Sequence, residues 1–250
     1  MDNELIRRPI PSDEEERGPI LSPAERYLLW AAICEAANQL SGRPRVCLRR
    51  STTPIRASDS VPTVKDWQLA EGLALLCVLL RAGAVHAQSV GLFVKLPAVT
   101  IGERGRKLYL WFQPETRGHV TNLRAKPDLA VSFGPDCDAT GGNIQRVIEV
   151  KHVRQLRTSS IRQEFAKAFD LSVCSYTLLT YYHIPPNISA GANNLGLDVA
   201  ELFIAPGMTP AELVSHVCTK LEQSRNAERF TASLKTGYED YRRKQLTFNP

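Results

Sequence analysis

The sequence has no apolar run long enough to cross a bilayer. The longest, Leu73 to Leu80, falls far short of the ~20 residues a spanning helix needs. No C-x-x-C pair occurs among its six cysteines (34, 47, 77, 137, 174 and 218), which argues against a structural zinc site. Several of these thiols sit in apolar stretches, such as Leu75-Leu76-Cys77-Val78, so free, buried cysteines in a reducing compartment are expected. A nucleophile elbow, a P-loop and an H-E-x-x-H are all missing, which removes the usual signals for a serine hydrolase, an NTPase and a zinc protease. The opening MDNELIRRPIPSDEEERG is polar and acidic and carries no signal peptide. The expectation is an intracellular protein away from membranes, cytoplasmic or, in a eukaryote, nuclear. No internal repeat of fold size appears.

What is present is ordinary for a globular chain: 250 residues, 43% hydrophobic and 23% charged. Thirty-one Lys and Arg against 26 Asp and Glu leave a net charge of +5, compatible with an anionic partner without demanding one. Residues 1–21 read as a flexible acidic leader, with Asp13 to Glu16 and prolines at 9, 11 and 19. Residues 22–62 read as a helix and an Arg-rich loop. Ser22-Pro23-Ala24-Glu25 is a capping box, Tyr27, Trp30, Ala31 and Cys34 follow at helical spacing, and Gly42 ends the run. Arg43, Arg45, Arg49, Arg50 and Arg56 follow in the loop.

A buried helix is expected from about Thr63 to Ala82, with Glu71 the one acid in its apolar middle. Strands are expected at about 90–95, 98–101, 107–113, 128–133 and 146–153. The Gly- and Asp-rich loop 134–143 should join the last two as a hairpin. A helix over 160–181 with Ile161, Phe165, Phe169 and Val173 on one side, a loop over 183–196, a strand over 198–205 and a final helix capped by Thr209 and Glu212 complete the pattern. The order is helix, meander, helix, strand, helix: an α/β mixed sheet with helices on both faces and an N-terminal helical extension. Helix 160–181 should cross over to set strand 198–205 parallel to its partner.

In RVIEVKHV, residues 146–153, strand alternation puts Glu149 and Lys151 on one face and Ile148 and Val150 on the other. A carboxylate and an ammonium on a covered strand are costly without a reason. Asp128 opens the preceding strand after Pro127, and the hairpin can bring all three together. Two carboxylates suit Mg²⁺ or Mn²⁺, which takes oxygen ligands plus waters and substrate phosphate. A bound metal stabilises charge on a phosphoryl oxygen and acidifies water, and a lysine can orient that water or offset developing charge.

Pro127-Asp128 followed by Glu149-Val150-Lys151 resembles the signature of the PD-(D/E)xK nuclease superfamily. Of nine lysines, only Lys151 has an acid two residues before it, and the other Pro-Asp pair, Pro135-Asp136, lies in the hairpin loop. The resemblance implies a restriction-endonuclease-like core in αβββαβ order over residues 63–225, with residues 226–250 as a tail packed on it or extending from it. It implies that Asp128, Glu149 and the Val150 carbonyl bind metal and that Lys151 is catalytic. Family members often add an acid from the preceding helix and a polar residue from the following one. Glu71 is the candidate for the first, against a solvent-facing place at the helix edge. Gln163 and Lys167 are the candidates for the second, against a capping box for Gln163 (Ser160-x-x-Gln163) and a solvated helix face for Lys167.

Basic residues flank the motif: Arg104, Arg106, Lys107, Arg117, Arg124 and Lys126 before it, Arg154, Arg157 and Arg162 after it. Of these, Arg124, Lys126, Arg154, Arg157 and Arg162 are expected to contact nucleic acid. His152 points away from Lys151. The resulting expectation is a Mg²⁺-dependent DNA endonuclease, by analogy from a defence, restriction or mobile-element system. DNA is expected ahead of RNA. With no recognition module, target choice would fall to a homo-oligomer or a targeting partner. The alternative is a non-enzymatic nucleic-acid-binding or assembly subunit on the same fold.

Overall fold

Ser22 begins the first helix as its spacing predicts: its N–H and Oγ both donate to Glu25 Oε2 at 2.8 Å, and the Glu25 N–H donates back to Ser22 Oγ at 3.2 Å. The computed structural model describes residues 21–41, 48–50, 53–54, 60–82, 84–86, 90–92, 99–103, 106–134, 144–151, 156–181, 184–201 and 204–222. Nearly all of the expected leader and the whole tail 226–250 lie outside these residues. Leu21, assigned to the leader, is instead buried, with its N–H held by Asp66 Oδ2 at 2.9 Å.

In chain order the elements are α1 (Pro23–Ser41), β1 (Leu48–Arg50), β2 (Thr53–Pro54), α2 (Asp66–Arg81), β3 (Ala84–His86), β4 (Val90–Leu92), β5 (Val99–Glu103) and β6 (Arg106–Phe112). Then come β7 (Thr116–Arg117), β8 (Arg124–Ala125), β9 (Leu129–Ser132), β10 (Ile144–Lys151), α3 (Thr158–Leu171), β11 (Ser175–Thr180), α4 (Pro186–Asn194), β12 (Asp198–Glu201) and α5 (Pro210–Glu222). Among the described residues a seven-stranded mixed sheet runs β12-β11-β10-β9-β6-β5-β3. β6, β9 and β10 are an antiparallel meander, and β11 and β12 add in parallel.

The sheet separates two apolar clusters. Ile148 and Val150 of β10 pack with α1, α2 and α5, while Val147 packs with α3, α4 and Tyr176. A register shift between Ile144 and Arg146 changes the parity along β10, so Ile144 shares a side with Val147. α2 is buried from Leu69 to Cys77, as its all-round apolar middle predicts. No helix among the described residues is long and apolar enough to cross a membrane.

Several expectations are corrected. The helix expected over 160–181 stops at Leu171, where Ser172 adopts a left-handed cap at φ 52° and its N–H returns to the Ala168 and Phe169 carbonyls. The chain then enters β11, paired in parallel with β10 from Arg146↔Ser175 to Lys151↔Thr180. β11 is buried on both faces, with Ser175, Thr177 and Thr180 buried beside Tyr176, Leu178 and Leu179. SYTLLT therefore has no sustained polar/apolar alternation to mark a strand and reads like more of the same helix. Residues 186–194, expected as loop, form α4 behind Pro185 and Pro186. Strand 198–201 is parallel to its neighbour, β11, as expected, but the helix that crosses over to it is α4 rather than helix 160–181. The short pairs β1–β2 and β7–β8 fall in stretches where no strand is expected. Of the cysteines expected to be buried, Cys34 and Cys77 are, whereas Cys174 is exposed because it lies in the turn between α3 and β11.

Candidate active site

The meander sets the geometry. β9 and β10 pair Ala130 with Val147 and Leu129 with Ile148, so one further step places Asp128 opposite Glu149 on the α3 side of the sheet. Asp128 is half-buried, and its Oδ2 accepts the Val150 N–H at 2.7 Å. Glu149 is buried, and Lys151 Nζ lies 3.5 Å from Glu149 Oε2. The expected trio therefore meets at one end of the sheet.

Glu71 joins from the opposite layer. It is buried on α2, lies within hydrogen-bonding reach of Asp128, and its Oε2 accepts Gln113 Nε2 at 2.8 Å. Gln113 ends β6 with φ 45°, and its own N–H donates to the Asp128 carbonyl at 2.8 Å. That turn lets α2 reach across the strand ends to chemistry on the far face. A solvent-facing Glu71 is excluded.

The α3 contribution differs from the expectation at Gln163 but includes Lys167, the other candidate. Gln163 is exposed; the side chains that reach the cluster are Glu164 and Lys167. Glu164 Oε1 meets Lys151 Nζ at 2.6 Å, and Glu164 Oε2 accepts the buried Tyr176 hydroxyl. Lys167 Nζ pairs with Glu149 Oε1 and reaches the Lys126 carbonyl at 3.4 Å. The Phe165 and Phe169 spacing misphases this helix. Its buried stripe is Ile161, Glu164, Ala168 and Leu171, and a stripe drawn from Ile161 at i+3 and i+7 contains Glu164. The expected Ser160–Gln163 box does not form either, because the helix already starts at Thr158.

Burial is the leading influence on every carboxylate here. It lifts Glu71 and Glu149 to about 7, and it lifts Asp128 to about 6 with help from the charge of Glu71. Hydrogen bonds from Gln113 and Asp128 work against the rise at Glu71, as do Lys167 and Lys151 at Glu149. Burial alone would lower the Lys151 pKa, but Glu149 and Glu164 outweigh it and hold the ammonium charged well above its ordinary range. Burial, then Glu149 and Glu164, keep the Tyr176 hydroxyl protonated. Three crowded carboxylates held partly protonated by burial and mutual repulsion are the electrostatic setting that a divalent cation relieves.

The donor set fits a hard cation: carboxylate oxygens of Asp128 and Glu149 and the backbone oxygen of Val150, which follows Glu149 on β10. Among the described residues no three His, Cys, Asp or Glu side chains form a ready-made cage. The expected set needs only two such side chains. Of the expected phosphate contacts, Arg124, Lys126, Arg157 and Arg162 are exposed, while Arg154, like His152, lies outside the described residues. A cavity of about 480 Å³ opens on the other face of the sheet, lined in part by Val78, Arg81, Val131, Phe133 and Arg146. It holds none of the acidic cluster.

No family model, curated protein or solved structure matches the chain.

Proposed function

We propose that the chain is a metal-dependent nuclease that hydrolyses phosphodiester bonds, acting as a DNA endonuclease on a restriction-endonuclease-like core. One observation carries this reading: Asp128, Glu149 and Glu71 converge from three elements, with the Lys151 ammonium beside Glu149. The order α2, the β6-β9-β10 meander, α3, β11 supports it, since it is the order the Pro-Asp and Glu-x-Lys resemblance implies.

Mg²⁺ or Mn²⁺, when bound, supplies Lewis acidity at the phosphoryl oxygen and a more acidic water. Asp128 and Glu149 hold it, the first with one oxygen already oriented by the Val150 N–H. Glu71 and Gln113 brace Asp128 from behind. Lys151, held charged by Glu149 and Glu164, orients the attacking water and offsets charge developing on the phosphoryl oxygens. Tyr176 fixes Glu164 and so aims the Lys151 ammonium.

The test is cleavage of single- and double-stranded DNA and RNA, side by side, with Mg²⁺, Mn²⁺ or chelator. Metal-dependent cleavage of DNA that is lost in Asp128→Ala supports the reading. Binding without cleavage in every metal would leave the chain a non-enzymatic nucleic-acid-binding subunit.

A further inference from the structure

The β7–β8 hairpin has an unfavourable arrangement. Arg117 and Arg124 are direct cross-strand partners, both exposed, and like charges directly opposite destabilise a strand pair. Lys126, two residues beyond Arg124, falls on the same face and is also exposed. The opposite face turns inward: Thr116 is buried, and Ala125 packs on the cluster beneath α3. A two-stranded ribbon of this length has little stability of its own. Something else holds the two arginines side by side.

That hold is Asp170, in the last turn of α3. Asp170 Oδ1 accepts the Val120 N–H at 3.2 Å and the Thr121 N–H at 2.7 Å, and Oδ2 accepts Thr121 Oγ1 at 2.7 Å. Its carbonyl, one of those a helix leaves unpaired at its end, accepts the His119 N–H at 2.6 Å. An acid at a helix C-terminus is disfavoured by the helix dipole, so Asp170 is retained against a local cost and offset by the hairpin's donors. Gly118 lets the two approach: a Cβ there would lie 1.8 Å from Asp170 Oδ2. The same helix carries Lys167, whose Nζ reaches the Lys126 carbonyl at the base of the hairpin, and Glu164. The hairpin and the carboxylate cluster are thus fixed to one rigid element.

We infer that the β7–β8 hairpin is a nucleic-acid guide arm: Arg117, Arg124 and Lys126 grip the phosphodiester backbone leading to Asp128, and Asp170 holds the arm in place. Two guanidiniums set about 5 Å apart at their Cβ atoms can hold one phosphate between them or neighbouring phosphates of one strand. Their mutual repulsion is relieved when the anion arrives. The inference rests on the nuclease reading for its substrate and adds to it the element that delivers the strand.

Affinity for fluorescein-labelled duplex DNA, in Ca²⁺ and across a salt series, tests it by anisotropy. Arg117→Ala/Arg124→Ala should weaken binding by roughly tenfold and flatten the plot of log K against log salt by about one for a shared phosphate or about two for neighbouring phosphates. Asp170→Ala gives a discriminating sign. It removes a negative charge, so a purely general attraction predicts tighter binding; a misplaced arm predicts binding weaker by roughly threefold, through lost preorganisation. Gly118→Ala changes no charge and should act in the same direction as Asp170→Ala. Circular dichroism and thermal melts confirm that each variant folds, and the two surface arginine changes keep the test decisive if Asp170→Ala does not. An unchanged salt slope in the arginine variant, or tighter binding by folded Asp170→Ala, overturns the guide arm while leaving the nuclease reading standing. Weakened binding by these variants with no cleavage in any metal keeps the arm and overturns catalysis. A wild-type protein that binds no nucleic acid overturns both.

Discussion

Asp128 Oδ2 accepts the backbone N–H of Val150 at 2.7 Å, which ties the acid opening one strand to the residue between Glu149 and Lys151 on the next. The hydrogen bond leaves the second carboxylate oxygen to face the cluster. An amide at this position can keep the bond through its carbonyl oxygen while losing the charge. Asp128→Asn is therefore expected to fold like wild type and to lose metal-dependent cleavage, as should Asp128→Ala and Glu149→Ala. Calorimetry with Mn²⁺ should show weaker binding in all three. Wild-type cleavage by purified Asp128→Asn would remove Asp128 from the site.

Lys151→Ala should separate binding from chemistry. The ammonium sits 3.5 Å from Glu149 Oε2 and 2.6 Å from Glu164 Oε1, but it is not itself a metal ligand. Its loss should spare nucleic-acid affinity in Ca²⁺ and slow single-turnover cleavage at saturating Mg²⁺ on the order of a hundredfold, about 3 kcal/mol. Lost affinity with an unchanged single-turnover rate would make Lys151 a phosphate-binding residue instead.

Lys167 places a second ammonium against Glu149, on the carboxylate oxygen not facing Lys151. If that ammonium takes the place a divalent cation would occupy, the two compete. Lys167→Met keeps the aliphatic stem and should tighten Ca²⁺ binding by roughly tenfold, about 1.4 kcal/mol. Lys126→Met, which removes a nearby charge from a different position, should tighten it far less. Weaker Ca²⁺ binding in Lys167→Met would show that Lys167 orients Glu149 for the metal rather than competing with it.

The acidic cluster should make the metal-free fold sensitive to pH. Glu71 and Glu149 titrate at about 7 and Asp128 at about 6 in the folded chain, while unfolded carboxylates titrate near ~4. Over that interval the folded state binds more protons than the unfolded one. Its stability therefore falls as pH rises from about 4 to about 7, and the contribution is complete below the unfolded values. Melting temperatures in chelator should decline across this window in wild type and decline less in Glu71→Gln/Asp128→Asn/Glu149→Gln. Added Mn²⁺ at pH 8 should recover the loss in wild type alone. Parallel wild-type and variant curves would mean that the three carboxylates are not perturbed together.

The local signals in the chain determine much of this structure. Ser22 with Glu25 and Thr209 with Glu212 form the capping boxes that their spacing requires, and both precede helices. Strict alternation in β10 separates Glu149 and Lys151 from Ile148 and Val150, which pack against opposite layers of the fold. Asp128 meets them because β9 and β10 pair Leu129 with Ile148, which sets it opposite Glu149. These features rest on interactions within a few residues or on a two-residue period, and both are written in sequence order.

Tertiary structure decided the rest. SYTLLT is β11 rather than the end of a helix because β10 and β12 are there to pair with it, and no Gly or Pro marks the left-handed turn at Ser172. Glu164 and Lys167, not Gln163, face the cluster because the phase of α3 follows the small Ala168 packed beneath it rather than the bulkier Phe165 and Phe169. Glu71 reaches Asp128 across the end of the sheet because Gln113 turns the chain there and binds Glu71 from 42 residues away. Helix phase, parallel pairing and contact across a sheet end depend on partners distant in the chain, and no local period encodes them.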